Sequence, residues 1–534
     1  MITALRNLLA HLGLARNGRV SRVNVLIVAG LALTLLTFAA CSSNDAADDG
    51  DSGDTSEAKY GGTLNAAHIS DTSTLDPAMT LSLSDQVSNQ TMYDNLVLRQ
   101  PDLSLRPMLA VSWEANADLT SYTFKLREGV KFHHGKEFKA EDVVYTFERV
   151  LDPEVGSPGA SALGMVGDIV AVDDYTVRFD LTAPNATLPD TLSIYQAKIV
   201  PSDIDGSRLA TEEFGTGPFM MEEFLPGERL VLKKNPDYWM EGRPYLDEII
   251  VFFMGEEDAR VEALKSGQID AILLAELTSV DLLAAEPGLK VSEAASSAYL
   301  NLAMDVRAAP FDDILVRKAV QAATDRDAIL QASMFGRGTV ANDHPIPPND
   351  PVFAPQHAPP AYDIELAKSL LEDAGYPDGI DLTLYTSTAG EGMVEMAVAM
   401  KERAAPAGIR IEIVQTTPDA YWAEVWMVVP FSTVTWGGRP PDEAISVVYK
   451  SDAVWNESFY VNTELDSLLA KAQSQVDLED RKVTYAEIQR ILIEDVPRIV
   501  VGFRPIFMAM HEDVMGLEAH PQWWPLLHET WLDR

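Results

Sequence analysis

The chain has 534 residues, and its hydrophobic fraction of 47% is that of a globular protein with a full core. This length exceeds one ordinary domain, so two or more lobes are expected. A net charge of −40 gives a surface that repels nucleic acid and anionic lipid headgroups. The charge itself has two interpretations: either it reflects solubility or a saline habitat, or it attracts cationic ligands. The single cysteine, Cys41, excludes an internal disulfide framework and a thiolate metal cluster.

The N-terminus has the layout of a secretory signal. Residues 1–22 are basic and polar, and residues 23–40 are almost wholly apolar. A transmembrane anchor is the alternative, because this apolar run is at the lower limit for spanning a bilayer. Phe38-Ala39-Ala40-Cys41 resembles a bacterial lipobox, with Phe38 in the place usually held by Leu. The resemblance implies that residues 1–41 are a lipoprotein signal peptide and that Cys41 is lipidated.

Residues 42–59 are predicted to be a disordered acidic tether. They consist largely of Ser, Gly, Asp and Ala and have no apolar periodicity, so they cannot bury surface. A tether after a lipid-bearing cysteine holds a folded domain near a membrane without embedding it. The folded part is predicted to begin near Tyr60, with a first strand at 62–67 and a loop that ends in Leu75-Asp76-Pro77.

The stretch from Tyr122 to Pro153 carries the most specific pattern. Apolar residues alternate through Tyr122, Phe124 and Leu126, and a second short strand at 130–132 predicts a hairpin. An amphipathic helix follows, with acids in its first turn and Pro153 at its end. The order of these parts closely resembles the signature of family 5 extracytoplasmic solute-binding proteins, which serve ABC importers of peptides, nickel chelates and oligosaccharides. His134 stands where the family usually has Asp.

This resemblance implies the fold and the domains. The implied fold class is α/β. It is a two-lobed, type II-like periplasmic-binding-protein clamp with an extra inserted α+β lobe. The inserted accessory lobe is expected to lie away from the ligand contacts. The implied boundaries are 60–92, 215–296 and 503–534 for the first ligand-binding lobe, 93–214 for the accessory lobe and 297–502 for the second ligand-binding lobe.

The rest of the chain agrees with an α/β organisation. Predicted strands alternate with predicted helices through 230–272 and again through 363–414, a pattern typical of βαβ units. The proline-rich residues 341–362 predict an irregular excursion. The turn at 215–219 is similar to a family turn, whereas Pro218 and the lack of a third glycine exclude a dinucleotide fingerprint.

The loop from Trp436 to Asp442 is the main candidate for ligand contact. Trp436 offers a stacking face, and the two glycines after it let backbone approach a ligand closely. In peptide-binding relatives the position of Arg439 is commonly an Asp that pairs with the peptide ammonium. A guanidinium suits a carboxylate or phosphate instead. Two alternatives remain open: that Asp442 supplies the ammonium contact, and that Arg439 and Asp442 form a structural salt bridge.

Four further residues are candidate ligand contacts. Trp455 adds an aromatic ring downstream, although a core position is an equal alternative. Tyr299 and Asn301 are on the strand that, by resemblance, crosses between the lobes. His68 is in the first loop, which by resemblance lines the cleft.

Metal and catalytic motifs are weak in this sequence. Adjacent residues on a strand point to opposite faces, so His133 and His134 are not expected to share an ion. Membership of the nickel-binding branch of the family remains an alternative, although no residue of the sequence singles it out. The sequence lacks a P-loop, a zinc-protease motif and a G-x-S-x-G elbow, so neither catalytic residues nor a cofactor are predicted.

The sequence therefore predicts an extracytoplasmic, lipid-anchored substrate-binding protein of an ABC transporter. It would capture an oligopeptide or similar small solute in a hinged interlobe cleft and deliver it to permease and ATPase subunits. Two other classes remain open: a secreted enzyme that hydrolyses peptides or glycans, and a surface sensor or adhesin that uses the same clamp.

Overall fold

The computed structural model describes residues 58–534. The predicted signal peptide, the lipidation site Cys41 and nearly all of the predicted tether lie outside the described residues. Among the helices that the structure describes, none is long and apolar enough to cross a membrane.

The described residues form strands and helices that alternate through most of the chain. The strands are β1 Thr63–His68, β2 Val97–Arg99, β3 Leu105–Pro107, β4 Ala110–Ala115, β5 Ser121–Leu126, β6 Val166–Asp173, β7 Thr176–Leu181, β8 Phe219–Leu225, β9 Arg229–Lys234, β10 Glu248–Phe253, β11 Ala271–Ile272, β12 Leu289–Ala294, β13 Tyr299–Met304, β14 Thr339–Val340, β15 Ile380–Ser387, β16 Ile409–Thr416, β17 Phe431–Trp436, β18 Arg498–Phe503, β19 Ile506–His511, β20 Val514–Met515 and β21 Trp531–Leu532. The helices are α1 Leu83–Met92, α2 Ala140–Leu151, α3 Leu188–Thr191, α4 Glu257–Lys265, α5 Val280–Ala285, α6 Ile314–Ala322, α7 Arg326–Met334, α8 Ile364–Asp373, α9 Met393–Ala404, α10 Pro418–Ala420, α11 Pro441–Val448, α12 Thr463–Gln473 and α13 Leu478–Asp495.

The first lobe is built on a mixed sheet of seven strands in the order β12-β19-β11-β1-β10-β9-β8. Its strands come from three separate stretches of the chain. β1 pairs in parallel with β10 and β11, and β19 pairs antiparallel with β11 and β12. The C-terminal part of the chain therefore returns to complete the lobe in which the fold begins.

The accessory lobe has a four-stranded sheet in the order β4-β5-β7-β6, against which α2 packs. The alternation at Tyr122, Phe124 and Leu126 does form a strand, and all three side chains are buried. The predicted hairpin is wrong, because β5 pairs with β4 and β7 instead. Within 130–138 the backbone forms one isolated antiparallel β-bridge, between Lys131 and Glu137, and no strand.

The second lobe is built on a six-stranded sheet in the order β14-β18-β13-β17-β15-β16, with β15 and β16 parallel. The chain crosses between the two lobes twice, from β12 to β13 and from β18 to β19. The two crossings are joined by the backbone N–H of Arg504, which donates to the carbonyl of Ala298 at 2.7 Å. Two α/β lobes with an inserted third lobe confirm the predicted fold class.

Candidate functional site

A cavity of about 560 Å³ lies between the lobes. Its walls come from the first lobe at Gln86, the accessory lobe at Ser161 and Tyr195, and the second lobe at Val434. Six of the nine tryptophans in the sequence line it: Trp422, Trp426, Trp436, Trp455, Trp523 and Trp524. We call this space the aromatic cavity.

A buried carboxylate orients two of these indoles. Glu457 accepts hydrogen bonds from Trp426 Nε1 at 2.8 Å and from Trp436 Nε1 at 3.3 Å. The ring centroids of Trp436 and Trp455 are 5.9 Å apart, so the aromatic surface is continuous. Because the indole N–H groups are used inside the second lobe, Trp426 and Trp436 offer the cavity apolar ring surface rather than donors.

Glu457 is in turn held by charge and by an amide. Arg498 Nη1 donates to it at 2.8 Å, and Asn301 Nδ2 donates at 2.9 Å. The side chains of Glu457 and Arg498 are 1% and 0% exposed, so this ion pair is fully desolvated. A desolvated pair with several further hydrogen bonds fixes the position of the ring edges behind the cavity wall.

Arg439 lines the aromatic cavity, and it does not pair with Asp442. Its Nε donates to Glu443 Oε1 at 3.1 Å, and its Nη1 donates to the carbonyl of Gly437 at 3.3 Å. The guanidinium carbon lies 5.2 Å from the ring centroid of Trp436 and 5.7 Å from that of Trp455. Within residues 58–534 its Nη2 has no hydrogen-bond partner, which leaves a donor available to a solute.

A second cation, Arg504, lines the same cavity and was not predicted. Its Nη1 donates to Glu391 Oε2 at 2.8 Å, and its guanidinium carbon is 4.9 Å from the ring centroid of Trp523. Of the cavity-lining residues, only Glu443 is acidic. This balance is unusual for so acidic a chain.

Asp442 does not line the aromatic cavity, and its carboxylate is paired with groups of the second lobe. Its carboxylate accepts from Arg481 Nη2 at 2.5 Å and from the Tyr485 hydroxyl at 2.6 Å. Burial raises the pKa of Asp442. Neither oxygen is therefore poised for a solute ammonium, and the structural salt bridge that Asp442 does form is with Arg481.

Three other predicted contacts do not line the cavity. Tyr299 and Asn301 are buried in β13, where Asn301 supports Glu457 and acts on the cavity only through it. His68 is buried at the end of β1, with Nδ1 2.7 Å from the Ser84 hydroxyl, and burial lowers its pKa to about 4. The structure thus brings together Trp436, Arg439 and Trp455 and leaves the other four outside this cavity.

Sequence reasoning missed the contributions of the C-terminal tail and the accessory lobe. Trp523 and Trp524 enter from the tail, and Tyr195 enters from the lobe that was expected to lie away from the ligand contacts. The available signals were the tandem Trp523-Trp524 and the four-residue spacing of Trp422 and Trp426, in a chain with few tryptophans. They indicate an aromatic surface, although they do not show that the second lobe and the C-terminal tail share one.

His133 and His134 have different partners. His133 Nε2 is 2.9 Å from the carbonyl of Gly217 and its Nδ1 contacts Glu213, whereas His134 Nε2 is 3.3 Å from Asp203. In the part of the chain that the structure describes, no group of three or more His, Cys, Asp or Glu residues is arranged to hold a metal ion.

The chain passes twice between two lobes, and a solute-sized cavity lies between them. This arrangement defines the class of binding proteins that clamp a solute. Residues 104–455 match the model of the bacterial extracellular solute-binding proteins, family 5. The chain belongs to this family and is an extracytoplasmic solute-binding protein.

Three relatives illustrate how widely the solutes of similar proteins differ. Heme-binding protein A of Haemophilus influenzae is 29% identical, over 92% of this chain and 96% of that protein. DppA of Helicobacter pylori, solved in complex with the peptide STSA, is 27% identical with a TM-score of 0.76, over 89% of this chain and 99% of that one. AgaA of Agrobacterium tumefaciens, solved in complex with agropinic acid, is 26% identical with the same TM-score and the same coverage.

Proposed function

We propose that the protein is the lipid-anchored solute-binding component of an ABC importer and that it captures a short peptide or a similar small zwitterionic solute in the aromatic cavity. The observation that carries this proposal is the position of the cavity between lobes joined by two adjacent crossings. A clamp of this kind closes by hinge motion around its solute. A volume of about 560 Å³ lies within the range of small-ligand sites.

The lining favours a solute with an apolar or aromatic body and an anionic or carbonyl oxygen. Ring surface from six tryptophans supports apolar side chains without demanding one shape. The free donor of Arg439 suits a carboxylate or carbonyl, and the backbone at Gly437 and Gly438 allows close approach. A short peptide supplies both features, which is why we favour it over a purely anionic solute.

A thermal-shift screen of the chain from Tyr60 onward tests the proposal, because a bound solute raises the apparent stability by mass action. The panel contains short peptides, N-blocked peptides, di- and tricarboxylates, oligosaccharides and metal chelates. We expect peptide hits that weaken in Arg439→Ala. Peptides that give no shift while another class does would refute the assignment.

Arg208→Ala is the matched control for Arg439→Ala. Arg208 also pairs with the acid four residues ahead, Glu212, at 2.5 Å, and its guanidinium carbon lies 4.9 Å from the ring centroid of Phe214. It does not line the aromatic cavity. An equal loss of binding in both variants would show that the effect of Arg439 is not specific to the cavity.

Two further experiments address the anchor and the enzyme alternative. Cys41→Ser is expected to abolish labelling by a radioactive fatty acid and to release the protein from membranes. Mass spectrometry of the solute recovered after incubation is expected to return it unchanged. Recovery of a cleaved product would favour a hydrolase instead.

A further inference from the structure

A second chamber adjoins the aromatic cavity and has a different chemical character. It encloses about 360 Å³ between the accessory lobe, which contributes Arg99 and Asp190, and the second lobe, which contributes Asp350 and Arg481. Six residues line both spaces, Glu443 among them, so the two lie side by side. We call this space the inner chamber.

The carboxylates of the inner chamber outnumber the cations available to them. Four acids line it: Asp190, Asp350, Asp442 and Glu443. Three of them have an arginine partner: Asp190 with Arg99, Asp442 with Arg481, and Glu443 with Arg439. In the described part of the chain Asp350 has no such partner. One carboxylate of the chamber is therefore left without a cation.

Asp350 is oriented by its own loop rather than by a charge. Its Oδ1 accepts the backbone N–H of Val352 at 3.0 Å, which fixes the carboxylate in the proline-rich excursion. Burial raises its pKa to about 6, and the nearby charges of Asp190 and Asp442 act in the same direction, opposed by Arg99. A carboxylate whose charged form is poorly compensated gains most from a cation brought by a ligand.

The inner chamber also holds an unused donor. The Arg99 side chain is buried, and among the described residues its Nε has no hydrogen-bond partner, although another of its nitrogens pairs with Asp190. A buried N–H without an acceptor is costly unless a ligand or water supplies one. An acceptor next to a cation is the arrangement at the amino terminus of a peptide, where the ammonium precedes the first carbonyl.

We propose that the inner chamber binds the amino terminus of the solute, with its ammonium on Asp350 and its first carbonyl near Arg99. This inference rests on the proposed function, because the rest of the solute lies on the tryptophans of the aromatic cavity. Arg439 and Asp442 do not provide this contact: the first is a cation, and the second is already used by Arg481 and Tyr485.

Calorimetry with Ala-Phe-Ala and its N-acetylated form tests the assignment, using the chain from Tyr60 onward. We expect the free-amine peptide to bind at least about tenfold more tightly than the acetylated one, because a buried charge pair is lost on acetylation. Asp350→Asn should remove this preference. Asp152→Asn should keep it, because Asp152 makes the same kind of turn, accepting the backbone N–H of Glu154 at 2.8 Å, and does not line the chamber.

The preference should also depend on pH. Asp350 shares the chamber with Arg99, Arg481, Asp190, Asp442 and Glu443, and it shares a smaller neighbouring pocket with Arg439. As the pH falls through about 6, Asp350 takes up a proton and the preference for the free amine should shrink. In Asp350→Asn the ratio of the two affinities should be independent of pH.

The outcomes separate the two proposals. Equal binding of both peptides by the unchanged chain, or a preference that persists in Asp350→Asn, overturns the role of Asp350. If neither peptide binds, the peptide proposal fails. The chamber is then judged with 2-phenylethylamine and the neutral 2-phenylethanol: a stronger response to the amine that is lost in Asp350→Asn supports a cation site, and equal or absent responses overturn it.

Discussion

Replacement of Glu457 by Gln tests the view that one buried carboxylate holds the cavity wall. The substitution keeps the size of the side chain but removes its charge and turns one acceptor into a donor. Arg498 would then be a buried, unpaired cation, and one of the indole N–H groups would face an amide N–H. Breaking a buried ion pair from one side typically costs about 3–5 kcal/mol.

The structure supports a cost within that range. Arg498 is fully buried, and within residues 58–534 its guanidinium keeps one other hydrogen bond, from Nη2 to the carbonyl of Val448 at 3.1 Å, and lies 4.3 Å from the ring centroid of Tyr449. Asp305→Asn is the matched control, because its partner Arg307 is 59% exposed. An exposed pair contributes about 1 kcal/mol or less. The two substitutions should therefore differ several-fold in their effect on the free energy of unfolding.

Urea unfolding followed by circular dichroism and tryptophan fluorescence measures both effects. The double variant Glu457→Gln with Arg498→Met should recover most of the loss, because uncharged replacements of both partners leave no buried charge. A loss below about 1 kcal/mol for Glu457→Gln, or no recovery in the double variant, would refute the reasoning.

Three further predictions follow from single positions. Gly215→Ala should lower the free energy of unfolding by at least about 3 kcal/mol, because the added Cβ would lie 1.9 Å from the Met92 carbonyl oxygen. Gly437→Ala is the control: its Cβ would meet no described atom within 4 Å, so the urea midpoint should change little. Burial lowers the pKa of His68 to about 4. Between about pH 6.5 and 4 the unfolded chain therefore binds a proton on this histidine that the native state does not bind, so the free energy of unfolding falls as the pH falls through this range. In urea unfolding, His68→Gln should reduce this dependence of stability on pH. Trp455→Ala should weaken solute binding about tenfold in calorimetry through loss of ring contact, and an unchanged affinity would place the solute elsewhere.

The sequence predicted the local elements best where their pattern is periodic. The helix Ala140–Leu151 and the strand Ser121–Leu126 follow from apolar spacing, and the alternation of strands and helices favoured the α/β class. The predicted hairpin failed because β5 pairs with β4 and β7, and β7 begins fifty residues after the end of β5. Strand pairing depends on partners that a local pattern does not specify.

The residues of the candidate site also fall into two groups, those that the sequence indicated and those that only the tertiary structure brings to the cavity. Trp436, Arg439 and Trp455, which line the cavity, are close in sequence, and the sequence indicated them as candidates. Arg504 and Trp523 reach the cavity through the second crossing and the C-terminal tail, which only the folded chain brings back.

By itself, the sequence determined the family and the two-lobed fold, because these depend on local spacing and on a long motif. It also indicated Trp436 and Arg439 as candidate contacts. The tertiary structure decided which charges are neutralised. Asp442 pairs with Arg481 and Arg439 pairs with Glu443, whereas within the described residues Asp350 has no ion-pair partner. Electrostatic pairing acts through space and is strongest where water is excluded, so the charge left for a solute to satisfy is set by the packing of the lobes.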